Sequence, residues 1–136
     1  MENLQLEVVT PEKLLLTTEA RMVTIPGQEG LFGVLPGHTS FLSGVKAGHL
    51  IIGDVDKGER YAISKGFAQV YRNQVTVLVD RAISENDVNA NAASHEYNQA
   101  KEALHGLSPE DPNLAACQDR LAFAEACLAL TGPVKR

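Results

Sequence analysis

Tryptophan is absent from the 136 residues, aromatic side chains make up 5%, and cysteine occurs twice. Without rings near its loops a chain has little to line a small-ligand pocket with. Cys117 and Cys127 lie ten apart in one helical stretch, so roughly 15 Å separates their Cα atoms and they cannot bridge each other. No second Cys or His pair stands at metal-ligand spacing, and both thiols read as helix-packing residues with no metal to hold. Long apolar runs are also missing. The run Val75 to Val79 is far too short to cross a bilayer, and Met1-Glu2-Asn3-Leu4 has neither the basic cluster nor the apolar stretch of an export signal. The expectation is a protein that stays inside the cell. Positive charge is sparse: the net charge is −5 and the Lys and Arg residues are scattered without forming a stripe. Nucleic acid and anionic membrane surfaces therefore lack an electrostatic attraction.

Catalytic signatures are missing as well. There is no Gly-x-Ser-x-Gly, no His-Glu-x-x-His and no Walker-type phosphate loop. His95 and His105 fall on the polar side of a helix, and the carboxylate neighbours Asp54 with Asp56 and Glu110 with Asp111 sit in turns, where no shared cleft separates their pKa values. No nucleophile, base and orienting group can be assembled, and no cofactor is implied.

What is present divides into two periodicities. From Leu4 to Ile83 the pattern is that of strands: Leu4, Leu6 and Val8 alternate with polar residues, and a β-rich run from Thr17 to Ile25 is expected to stop at Pro26-Gly27. Glycines from Gly27 to Gly66 cut the region into short strands, the spacing of an antiparallel sandwich, with hairpin tips at Asp56-Lys57-Gly58 and Arg72-Asn73. Val75 to Val79 is apolar on both faces apart from Thr76 and reads as an interior strand. After Ser84-Glu85-Asn86 the period becomes helical. Ala93, Tyr97, Ala100, Leu104 and Leu107 form one stripe, closed by Gly106 and Pro109. Asp111-Pro112 offers an N-cap and first-turn proline, Leu114, Cys117, Leu121, Ala124 and Leu128 form a second seam, and Gly132-Pro133 is expected to end it. The fold class is therefore α+β: an antiparallel β-sandwich of about ten short strands over residues 1–85, then an antiparallel two-helix hairpin over residues 86–136. The hairpin is rich in alanine and buries little of itself, which marks it as detachable.

One segment carries more large apolar side chains than a solvent loop needs. In Gly30-Leu31-Phe32-Gly33-Val34-Leu35-Pro36-Gly37-His38-Thr39-Ser40-Phe41-Leu42, the residues Phe32, Leu35 and Phe41 either fill the core or pack on a partner, and composition alone leaves both open. Gly27-Gln28-Glu29-Gly30 followed by Phe32 to His38 resembles the N-terminal signature of the bacterial and chloroplast ATP synthase epsilon subunit family. Lys46 to Leu50, Ser64 to Val70, Asn73 to Leu78 and Asp80-Arg81-Ala82 resemble further strands of that family, and the likeness runs over essentially the whole chain.

The resemblance implies a non-catalytic rotor subunit of the F-type ATP synthase, coupling proton flow through the membrane ring to the catalytic head. It implies a peripheral place on the cytoplasmic face of the bacterial inner membrane, with membrane association only through the complex. Its partners would be the gamma stalk, the c-subunit ring and, through the hairpin, the alpha/beta head. By the same resemblance His38, Thr39, Ser40, Phe41 and Leu42 face gamma, while Glu29, Leu31 and Phe32 lie nearest the c ring, Leu31 standing where some relatives are acidic. A free-standing sandwich binding a small ligand is the alternative. In many relatives the first helix opens with Ile/Leu-Asp-x-x-Arg-Ala, part of an ATP site that holds the hairpin folded. The matching stretch here is Val88-Asn89-Ala90-Asn91-Ala92-Ala93. Asn89 replaces the carboxylate and Ala92 the guanidinium ahead of Ala93, removing a charge that pairs with phosphate. The second helical stretch, Leu114 to Leu130, holds one basic residue, Arg120, so attraction to an acidic partner is small. Titration calorimetry of the full chain with ATP is expected to show no saturable submillimolar site; such a site would overturn the reading of these three positions.

Overall fold

The computed structural model describes residues 3–131. Ten strands come first: β1 (Leu4–Thr10), β2 (Lys13–Ala20), β3 (Val23–Gly27), β4 (Gly30–Val34), β5 (Phe41–Val45), β6 (Gly48–Ile52), β7 (Glu59–Ile63), β8 (Gly66–Tyr71), β9 (Gln74–Val79) and β10 (Ala82–Ser84). A 3-10 turn over Glu85–Asp87 leads to α1 (Ala90–His105) and α2 (Leu114–Thr131). The strands run in the order β10-β7-β6-β3-β5-β8-β9-β1-β2, with β4 added to β3. Since β3 meets β5 only at Gly27 opposite Val45, the sheet folds over at that corner into two layers. Between them lie Leu4, Leu6, Val8, Val23, Ile25, Val34, Val45, Leu50, Ile63, Val75 and Val77, all fully buried. Burying each such aliphatic side chain contributes about 1.5–3 kcal/mol; β1, β4, β8 and β9 alternate inward and outward residues as the pleat requires, while β3 is buried along its whole length.

Three details depart from the sequence expectations. The ladder is antiparallel except at β1 and β9, which pair in parallel from Gln5 opposite Gln74 to Val9 opposite Leu78. No local signal announces that pairing, because its two strands are far apart in the chain. The run from Thr17 to Ile25 breaks at Arg21-Met22 into β2 and β3, while the expected stop at Pro26-Gly27 holds, β3 ending at Gly27 where the hairpin to β4 begins. Strand β9 is interior, but it alternates: Val75, Val77 and Val79 are buried while Leu78 faces outward and is 45% exposed. The tip at Arg72-Asn73 is as expected, both residues having positive φ of 50° and 65°, the conformation that a two-residue hairpin turn needs.

In the hairpin, Asn89 caps α1 by accepting a 2.9 Å hydrogen bond from the Ala92 N–H, and Gly106 closes it. Asp111 does not open α2: its side chain accepts from the Asn113 N–H at 2.8 Å and its carbonyl from Leu114, so Pro112 sits in the preceding turn and the helix begins at Leu114. The expected stop at Gly132-Pro133 lies outside the described residues. Across the two helices the Arg120 Nε donates to Glu96 at 2.9 Å, and that hydrogen bond, helped by Arg81 nearby, holds the Glu96 carboxyl below the usual carboxylate range.

The start of β8 has the tightest backbone approach. A Cβ at Gly66 would stand 1.9 Å from the Leu78 carbonyl oxygen, whereas one at Gly106 would meet nothing within 4 Å. Gly66→Ala is therefore expected to lower unfolding stability in urea by about 2–3 kcal/mol, and Gly106→Ala to stay within about 0.5 kcal/mol of the parent.

Candidate functional site

The outer face of β5, β8 and β9 is an apolar surface that the fold leaves uncovered. On β8 the inward positions are Ala68 and Val70, and the outward ones are Phe67, Gln69 and Tyr71. Phe67 pairs with Leu78 and with Gly44, and Gln69 with Leu42. Residues directly opposite in an antiparallel ladder share a face and diagonal neighbours remain in reach, so Leu42, Phe67 and Leu78 form one strip. Their exposures are 69%, 56% and 45%, and Tyr71 extends the strip along β8 at 53%. Side chains this large and this exposed, side by side on a rigid sheet, have the character of an interaction surface.

At the edge of this strip lies the loop between β4 and β5. Gly37, with φ of 86°, donates its N–H to the Asn73 side chain at 2.7 Å, which ties the loop to the β8–β9 turn. His38 contacts the Phe41 ring at 5.1 Å and Phe41 meets Phe32 edge-on at 5.3 Å. Among the residues singled out in sequence, Phe32 and Phe41 are half-buried against the core, while His38, Thr39, Ser40 and Leu42 are exposed. Leu35, the third apolar residue of the segment, is 54% exposed. Glu29 and Leu31 lie at the β3–β4 hairpin, Leu31 being 68% exposed. The structure thus brings Phe32, His38 and Phe41 together and sets Glu29 and Leu31 at the hairpin tip. Phe67, Tyr71 and Leu78 were not singled out from sequence. Their signal was available: in an alternating strand the apolar residues at outward positions have no core to enter.

A second concave feature lies between sandwich and hairpin. This cleft of about 500 Å³ is lined by Asn89, Ala92 and Ala93 of α1 with Arg81, Glu96 and Phe123. Its charged lining is Glu12, Asp80, Asp87 and Glu96 against Lys13 and Arg81, an acidic balance that disfavours a polyphosphate. Asn89 spends its side-chain oxygen on the helix cap, Ala92 is exposed and Ala93 is buried. Among the described residues no group of His, Cys, Asp or Glu could hold a metal ion, and no helix is long and apolar enough to cross a membrane.

Comparison with known proteins follows this geometry. Residues 3–85 match the family model described as "ATP synthase, Delta/Epsilon chain, beta-sandwich domain". The chain is 43% identical over 127 residues to an ATP synthase epsilon chain of Magnetococcus marinus, covering 93% of each. It is 34% identical over 135 residues to that of Citrifermentans bemidjiense, covering 99% of this chain and 98% of the relative. Its fold is similar to a chain in the Euglena gracilis mitochondrial ATP synthase structure of OSCP, F1 and c ring, with a TM-score of 0.76 at 22% identity, covering 96% of this chain and 82% of that one. A chain of the Tetrahymena thermophila central stalk and c-ring structure superposes with a TM-score of 0.62 at 13% identity, covering 96% and 98%. A sandwich matched over its full length and a helical pair within the aligned span make the assignment direct: the chain belongs to the ATP synthase epsilon chain family.

Proposed function

We propose that this chain is the non-catalytic rotor subunit that clamps the foot of the gamma stalk with the outer face of β5, β8 and β9. The observation that carries the proposal is the strip of Leu42, Phe67 and Leu78, large apolar side chains held in the open by a sheet whose opposite face is fully buried. His38, Thr39 and Ser40 supply the polar rim beside it, and Phe41 backs the loop from within. Such a centre of desolvated apolar residues with a polar margin is how binding energy is usually concentrated. The β3–β4 hairpin with Glu29 and Leu31 would rest on the c ring, so that ring, sandwich and stalk turn together and proton flow reaches the catalytic head. In this reading the chain lies peripherally on the cytoplasmic face of the bacterial inner membrane. The free-standing ligand-binding alternative loses support because the cleft beneath the hairpin is lined by four carboxylates against two cations and by a single aromatic ring, Phe123, which Arg81 already covers.

The hairpin is proposed as a modest brake on hydrolysis, acting on the alpha/beta head through packing. Arg120, the basic residue of α2, is already paired with Glu96.

Two measurements test this reading. Leu42→Glu and Phe67→Glu place a carboxylate where burial is required, and each is expected to weaken co-purification with gamma by at least roughly tenfold. Their circular dichroism should match the parent, since both sites are exposed; unchanged gamma binding would refute the surface. Deleting Asp87 to Arg136 in the assembled enzyme is expected to change ATP hydrolysis only a few-fold. A tenfold release would show the hairpin to be a strong brake.

A further inference from the structure

We infer that Arg81 is the latch that holds the helical hairpin folded on the sandwich, through the seat its guanidinium makes over the Phe123 ring. The inference concerns the chain by itself and stands independently of which surface meets gamma.

The interface explains why one arginine matters. The cluster between hairpin and sheet consists of Ala62, Ala93, Phe123, Ala126 and Cys127, with Ile83, Val88, Leu128 and Leu130 packed around it. Three of the five buried members are alanines, so Phe123, 4% exposed, supplies most of the apolar area that docking removes from water. Large aromatic side chains set among small ones dominate such interfaces. The Arg81 guanidinium carbon lies 4.3 Å from the centroid of that ring, well within cation–π range. Arg81 belongs to the link between β9 and β10, so its grip joins sandwich to α2 directly.

The surroundings sharpen the role. The cleft around Phe123 is otherwise lined by the carboxylates of Glu12, Asp80, Asp87 and Glu96, with Lys13 as its other cation. An aromatic face is the negative part of the ring's quadrupole, so without Arg81 the ring would face an acidic wall. Arg81 also acts on Glu96 of α1, whose carboxyl it helps keep ionised; one guanidinium thus addresses both helices. Two other links accompany it. Lys65 Nζ meets Asp119 at 2.9 Å with both partners well exposed, a pair worth little. The His49 ring Nε2 lies 2.9 Å from the Ala126 carbonyl, a bond that water replaces readily once the helix leaves.

The two native thiols report opening. Cys127 is buried in the interface and Cys117 is half-buried elsewhere on the same helix. Alkylation of the full chain by iodoacetamide, resolved by peptide mass spectrometry, gives a rate for each. In Arg81→Ala the Cys127 rate is expected to rise roughly fivefold, with Cys117 unchanged and far-ultraviolet circular dichroism unaltered; Arg81→Lys should fall between. Burial raises the Cys127 thiol pKa while the Arg81 charge acts to lower it. Removing that charge therefore slows the chemistry itself, so a faster rate reports opening and not thiolate formation. Phe123→Leu, which keeps the bulk and removes the ring, should accelerate Cys127 to the same degree as Arg81→Ala, and the two changes together should add little. A Cys127 rate in Arg81→Ala equal to the parent overturns the latch. Equal acceleration of both cysteines overturns it too, because the helix would then be unfolding in place.

Discussion

The parallel pairing of β1 with β9 is the constraint on which the remaining structure hangs. It seats Leu4, Leu6 and Val8 in the middle of the core, and it fixes which way the first hairpin points. Because β1 runs alongside β9, the tip after Thr10 arrives where β9 gives way to Asp80 and Arg81. Thr10, Glu12, Lys13 and Leu15 then form a wall of the cleft that receives α1 and α2. A one-residue slip would turn the three core side chains outward and move that wall at the same time. Sandwich stability and hairpin docking are thus two consequences of one register.

The same sheet explains how a small domain carries an exposed apolar strip without losing its fold. On β8 and β9 the inward positions hold Ala68, Val70, Val75, Val77 and Val79, which close the core with small and β-branched side chains. The larger Phe67 and Leu78 are displaced to the outward positions, where no neighbouring element covers them. Folding does not need them, so they are available for association. The Phe32, His38 and Phe41 ring group spans the two environments, the phenylalanines packed on the core and His38 exposed beside them.

Much of this was legible in the residues. The glycine and turn spacing marks the strands, the Arg72-Asn73 tip and the change of period after Ser84 locate themselves, and the residues from Gly27 to Ala82 carry the family likeness. What was not legible is non-local. The β1–β9 pairing joins segments about seventy residues apart, and no periodicity encodes a partner at that distance. The second helix shows the other kind of failure. A single seam through Leu114, Cys117, Leu121, Ala124 and Leu128 accounts for packing on α1, but a helix apolar on most sides must be covered twice. The covering sheet selects Phe123, Ala126 and Cys127, two of them neighbours of seam positions, and only the tertiary structure assigns them. Asn89, Ala92 and Ala93 stand at the start of α1, and their use as cap, surface and packing residues comes from their surroundings.

The distribution of charge ties the hairpin to its proposed role. Of the charged residues in α2, Asp119 and Arg120 are both engaged within the chain, with Lys65 and Glu96, and Glu125 remains exposed. Opening the hairpin as a unit would preserve the Arg120 pair, which lies between its own helices, and would break the contacts to Lys65, His49 and Arg81. An opened hairpin would then offer a partner a net acidic, alanine-rich surface with one exposed phenylalanine. Against an acidic segment such a surface has no long-range attraction, so its association would depend on what Phe123 and its neighbours can bury. Phe123, the ring that Arg81 grips in the closed hairpin, is therefore also the side chain best suited to hold it open elsewhere, and the sandwich competes for it with that guanidinium and the apolar cluster around Ala62 and Ile83.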